Sequence, residues 1–148
     1  VDHTADDARR AADEQAKRLK EEEARAAVEE KARSVRAAEL QAVSHALSDY
    51  QFAYQRKDPV AIHAIWPSLS KTSLDEIRNS FHDASEVSVD LRPVGDPEIS
   101  GAIATVVCDR TVRQIIMKRP MQASDRVRIV LNRRGAGWVI TSMDRVSQ

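Results

Sequence analysis

The apolar residues of this chain change their spacing once, just after Phe81. Before it they recur every three or four positions, as in Leu40, Val43, Leu47, Tyr50 and Tyr54. After it they alternate, as in Val87, Val89 and Leu91 against Ser88, Asp90 and Arg92. The first spacing keeps one helix face apolar, and the second keeps one strand face apolar. Helices followed by strands predict an α+β chain with helices packed on one face of a curved antiparallel sheet.

The helical half starts with a stretch of a different kind. Residues 5–40 contain neither Gly nor Pro and are rich in Ala, Glu, Arg and Lys, all strong helix formers. Thr4 and Asp7 have the spacing of a capping pair. Acid-before-base pairs recur four residues apart: Asp6/Arg10, Asp13/Lys17, Glu14/Arg18, Glu21/Arg25 and Glu29/Arg33. Up to position 27 the only large apolar residue is Leu19, and a weak stripe begins at Val28, Ala32 and Val35. Local chemistry therefore encodes a helix with little to bury. It is expected to be a charged stalk or linker over residues 1–37, as a lone helix or a loose dimeric coiled coil. The chain has no starting methionine and is expected to be a piece of a longer protein.

The folded domain is expected over residues 38–148. A long helix should run to about Lys57, either separate from the charged one or continuous with it. Asp58-Pro59 reads as an N-cap followed by proline at the first helical turn. The short helix that follows should bury Val60, Ile62 or His63, and Trp66, and stop at Pro67. Ser73-x-x-Glu76 reads as a capping box opening a third helix through Phe81. "VGDPEISG" reads as turn chemistry, and "ISGAIATVVCDRTV" as a central strand. "KRPMQASD" (118–125) reads as a hairpin tip or loop. Residues 126–132 form another strand, "RRGAG" a turn, and "WVITSM" the last strand.

Composition excludes several functions. The single cysteine, Cys108, allows neither an intramolecular disulfide nor a cysteine-based zinc site, and its apolar run suggests a buried residue. No apolar run is long enough to span a membrane, so no membrane contact is expected within this chain. The formal net charge is zero, yet residues 109–134 hold eight basic and two acidic residues. Arg110, Arg113, Arg126 and Arg128 are the candidate interaction surface, suited to an acidic protein partner. The basic stretch has no aromatics for base stacking, which disfavours nucleic acid. Four scattered histidines show no ligand spacing, and there is no phosphate loop or nucleophile elbow. No metal and no cofactor are expected. The compartment stays open between the cytoplasm and the outer side of a membrane-tethered protein.

Three segments together carry a resemblance: "ALSDYQFAYQRKD", "DPVAIHAIWPSL" and "RRGAGWVITSM". Their order is similar to that of the nuclear transport factor 2-like superfamily, which includes ketosteroid isomerase-like and SnoaL-like proteins. It resembles most the small accessory domains at the C-terminal end of bacterial multidomain proteins, some of which follow a Ser/Thr kinase domain. The resemblance covers about residues 38–145. It implies a cone in which a bent sheet wraps the long helix, with Tyr50, Tyr54, His63, Trp66 and Phe81 as candidate pocket-lining residues. It also implies dimers, which many members form through the sheet.

An isomerase of this kind needs a carboxylate base beside tyrosine and protonated-aspartate donors. Tyr50 or Tyr54 matches the tyrosine. The segment after the second helix, however, has no carboxylate before Asp75, and Asp109 lies near the end of its strand. No catalytic residue is therefore assigned. The expected function is a non-catalytic, self-associating interaction or assembly domain. The alternative is a small-molecule sensor or SnoaL-like enzyme that uses the cone.

Overall fold

The computed structural model describes residues 3–147. The chain divides into two units, Val1–Glu39 and Leu40–Gln148. One helix, α1 (His3–Gln55), has residues in both.

In the first unit every described residue is helical, and all but Glu39 are exposed. The helix begins at His3, so Thr4 and Asp7 lie inside it rather than forming its cap. The residues before His3 lie outside the described range. Of the five expected acid–base pairs, Glu14–Arg18 is the one that closes among the described residues, at 3.9 Å. Such exposed pairs add little, so helix propensity must carry this segment.

The second unit opens with the C-terminal turns of α1. Val43, Ala46, Leu47, Tyr50 and Ala53 are buried along one face, while Leu40 and Tyr54 are half-buried. Two hydrogen bonds close the helix end: Lys57 N–H to Tyr54 C=O and Asp58 N–H to Ala53 C=O, both 3.0 Å. This is a Schellman motif, and Lys57 takes the left-handed position usually held by glycine, at φ 55°. Its ammonium reaches across to the carbonyl of Ala84.

Asp58 then caps α2 (Pro59–Ile65), its Oδ1 accepting from Ala61 N–H at 3.1 Å. Of the alternatives Ile62 and His63 it is Ile62 that is fully buried, with His63 exposed, while Val60 is 77% exposed, against expectation. In so short a helix Val60 lies about 200° around the axis from Ile62, so only one of them can face the core. The third helix, α3 (Lys71–Asp83), starts a turn earlier than the Ser73/Glu76 pattern suggested. Ser70 is its N-cap and accepts from Ser73 N–H at 3.1 Å. Serine at both positions made the sequence register ambiguous.

Five antiparallel strands follow: β1 (Ala84–Pro93), β2 (Glu98–Ser100), β3 (Ile103–Ile116), β4 (Arg119–Arg134) and β5 (Gly137–Arg145). The order is β1-β3-β4-β5, with β2 also pairing with β3. Two expectations are corrected here. Part of "VGDPEISG" is strand β2, and Gly101 (φ 61°) turns the chain into β3. Residues 119–125 are not a loop but the first half of β4, paired with Arg110–Ile116. The β3–β4 turn is only Met117-Lys118, both left-handed at φ 52° and 65°. That is the backbone of a tight two-residue hairpin, here without its usual Asn-Gly.

One face of the sheet carries Val87, Val89, Leu91, Ala104, Val106, Cys108, Val127, Ile129, Leu131 and Ile140, all buried against the helices. The opposite face is a ladder of polar partners: Arg113 with Gln122, Thr111 with Ser124, and Asp109 with Arg126. Alternation along each strand separates the two.

Candidate functional site

The inner face turns polar toward the β3–β4 hairpin. Beyond Cys108 the inward positions on β3 are Arg110, Val112 and Gln114, and beyond Val127 the next inward position on β4 is Asp125. Above them sit four aromatic rings from the three helices. Tyr50 lies 6.1 Å from Tyr54 and 6.3 Å from Trp66, and Tyr54 meets Phe81 edge-on at 5.0 Å. Such pairs pack favourably and fill space. Four of the five candidate pocket residues are thus brought together. His63 is not among them, because α2 turns it outward.

The polar end of this cluster is internally paired. Arg110 donates Nε to Asp125 Oδ1 at 2.9 Å and Nη2 to Oδ2 at 2.6 Å. Arg145 Nε donates to the same Oδ2 at 3.2 Å, and Arg110 Nη1 touches Met143 Sδ at 3.5 Å. Gln114 donates to the Ser80 hydroxyl on α3 at 3.1 Å. Among the described residues no buried side-chain nitrogen or oxygen lacks a partner.

Three titratable groups of the cluster, Tyr50, Tyr54 and Asp125, are shifted away from neutrality. Burial pushes the Tyr50 hydroxyl up to about 12, with Tyr54 adding to the rise and Arg110 opposing it. Burial likewise raises Tyr54, against the charge of Arg110 and a hydrogen bond from Gln114. Both phenols stay protonated. The hydrogen bond from Arg110 holds the Asp125 carboxyl below the usual range, so it stays ionised and committed to its arginines. A general base needs a free lone pair and a pKa nearer to the working pH. Among the described residues no group of three or more His, Cys, Asp or Glu is placed to hold a metal. No helix there is long and apolar enough to cross a membrane.

The four candidate surface arginines separate. Arg110 points inward, and Arg113, Arg126 and Arg128 point outward. Arg126 is already engaged with Asp109 at 2.8 Å, and Arg113 holds only the neutral Gln122, at 3.3 Å. Asp125 and Arg145 were missed by sequence reasoning because the first was read into a loop and the second follows the last expected strand. Mirroring the residues about Met117-Lys118 would have paired Arg110 with Asp125.

Two cavities open elsewhere on the surface. The larger, about 580 Å³, lies where the end of α1 meets β1, β3 and the start of β4. The smaller, about 320 Å³, lies beside it between α1 and β1. Neither is lined by the aromatic cluster or by His63.

No family model matches the chain, and no curated protein does. Solved structures do. A nuclear transport factor 2-like superfamily protein from Salmonella enterica serovar Typhimurium is similar at a TM-score of 0.62 and 13% identity, covering 76% of this chain and 92% of that one. A protein from Streptomyces avermitilis, provisionally described as a dehydratase of the same family, gives 0.62 at 14% identity, with 76% and 99% covered. A protein of unknown function from Mycobacterium tuberculosis gives 0.67 at 9% identity, with 78% and 75% covered. At these identities the likeness speaks for architecture, and it agrees with the element order and the bent sheet. The chain has the nuclear transport factor 2-like fold.

Proposed function

We propose that this chain is a non-catalytic interaction and assembly domain that self-associates, serving as an accessory or regulatory part of a larger bacterial protein. One observation carries the non-catalytic half: the carboxylate at the mouth of the aromatic cluster, Asp125, is held by two arginines. Releasing it for proton transfer would strand buried charge. The aromatic rings above it pack on one another at 5.0 to 6.3 Å between centroids, which supports a filled rather than an open cone.

Self-association draws on the charged helix. Leu19, Val28 and Val35 are exposed there, and Val28 and Val35 are one heptad apart. The outer sheet face, by contrast, pairs several of its polar groups across neighbouring strands. Contact through the helix therefore fits better than contact through the sheet. The measurement is sedimentation equilibrium of the full chain and of a Val28→Asp/Val35→Asp variant. A dimer that the double substitution dissociates is the expected result. A monomer at high micromolar concentration in the unsubstituted chain overturns the reading.

The description of a neighbouring structure as a dehydratase favours a second reading, a SnoaL-like enzyme or ligand sensor. It requires substrate to displace Asp125 from Arg110.

A further inference from the structure

The larger cavity opens where the end of α1 meets the sheet, and it is lined mainly by outward residues of the strands, with Val87 and Gln114 reaching it from the inner face. Its floor is two cross-strand rungs, Glu86–Ile115–Pro120 and Ser88–Arg113–Gln122. Its wall is the end of α1, with Gln55 and Lys57. The smaller cavity continues it along β1 and shares Gln55, Ser88 and Arg113. Together they make one trough with Arg113 at its middle.

The trough is chemically graded. At the hairpin end lie Ile115, Pro120 and Met121, and Met121 is 56% exposed. At the other end Phe52, 62% exposed, borders the smaller cavity. Four charges line it. Lys57 donates to the neutral Ala84 carbonyl and keeps its positive charge as a second cation in the trough, and Asp90 faces Arg92 at 3.9 Å. Glu86 stands at the rim. Arg113 donates only to a neutral amide, so its guanidinium keeps its full charge and most of its donors. A planar fork with spare donors beside apolar walls suits a carboxylate with a hydrocarbon body. The volume lies within the usual range for small-ligand sites.

We propose that this trough binds a small amphipathic carboxylic acid, with its carboxylate on Arg113 and its hydrocarbon over Ile115, Pro120 and Met121. The site is independent of self-association, since neither the exposed apolar residues of the charged helix nor the aromatic cluster contributes to it.

The test is titration of the full chain with decanoate, decanol and decylamine below their aggregation limits, followed by calorimetry and amide NMR shifts. Decanoate should saturate one site, with shifts at Ser88, Arg113 and Gln122. Decanol and the Arg113→Gln variant should each bind about tenfold more weakly, the loss expected for one charge-assisted contact. Glu86→Gln should bind decanoate more tightly, by removing a like charge. Three results overturn the proposal: no saturable decanoate binding, equal affinity for decanol or decylamine, or unchanged affinity in Arg113→Gln. Shifts confined to Tyr50, Tyr54 and Trp66 would also overturn it, by placing the ligand in the cone. Sedimentation of the same samples reads the assembly proposal separately, so either can fail alone.

Discussion

Arg110 and Asp125 face each other across β3 and β4 and share two hydrogen bonds, at 2.9 and 2.6 Å, on the helix-covered side of the sheet. The pair is mostly out of solvent, with side-chain exposures of 27% and 17%. It is therefore screened far less than the exposed pairs of the charged helix.

This pair should make stability depend on acid pH. The folded state lowers the Asp125 pKa, chiefly through the Arg110 hydrogen bond. The unfolded chain thus binds its proton first as pH falls. The contribution is complete above the unfolded value of about 4 and disappears as pH drops through the lower folded value. Asp125→Asn should cost about 2 kcal/mol at pH 7 in urea unfolding, the scale of a charge-assisted hydrogen bond. The variant and the unsubstituted chain should converge as the pH falls through the lowered folded value of Asp125. A constant gap down to that pH would show that the loss comes from packing. Arg110→Met with Asp125→Leu should cost less than either single change, because no charge is left stranded.

The Met117-Lys118 turn stores strain that a substitution can release. Both residues sit in the left-handed region, where a Cβ costs roughly 1 kcal/mol or more. Lys118 is exposed and forms no part of the core. Lys118→Gly should raise stability, although glycine's extra freedom in the unfolded chain offsets part of the gain. Differential scanning calorimetry should show a small rise in Tm. A fall would mean that the lysine side chain makes a compensating contact.

That same turn marks where the sequence stopped being readable. The amphipathic face from Val43 to Ala53, the Asp58-Pro59 start of α2 and the alternation in β1 were legible because each rests on neighbouring residues. The β3–β4 hairpin was not, because Met-Lys carries no turn signal and "RPMQASD" has no alternating apolar face. Its strand character comes from pairing with β3, a tertiary effect. With that register hidden, Arg110 was grouped with the outward arginines, and its partner Asp125 was invisible. The aromatic cluster was more accessible. Tyr50, Tyr54 and Phe81 fall on apolar helix faces, so periodicity places them together. His63 and Val60 were misjudged because seven residues are too few to define a face.

Cys108 offers a last check, on the sheet core. It lies at the inward position between Val106 and Arg110 and is fully buried. Burial, with Asp109 adjacent, pushes its thiol up to about 11. The thiolate is the reactive form, so native Cys108 should resist a thiol reagent at pH 8 on both counts. Labelling by Ellman's reagent should be negligible without denaturant and complete once urea unfolds the domain. Its rate should follow the global unfolding equilibrium rather than the reagent concentration alone. The raised pKa also has a sign: above the unfolded value of about 8.5 the unfolded chain ionises first, so stability should decline as pH rises from there toward 11. Replacing Cys108 with alanine should remove the part of that decline that begins at about pH 8.5, leaving the part that the raised tyrosines add above about pH 10, while introducing a small cavity penalty at neutral pH. Rapid labelling under native conditions would show that β3 and β4 open locally.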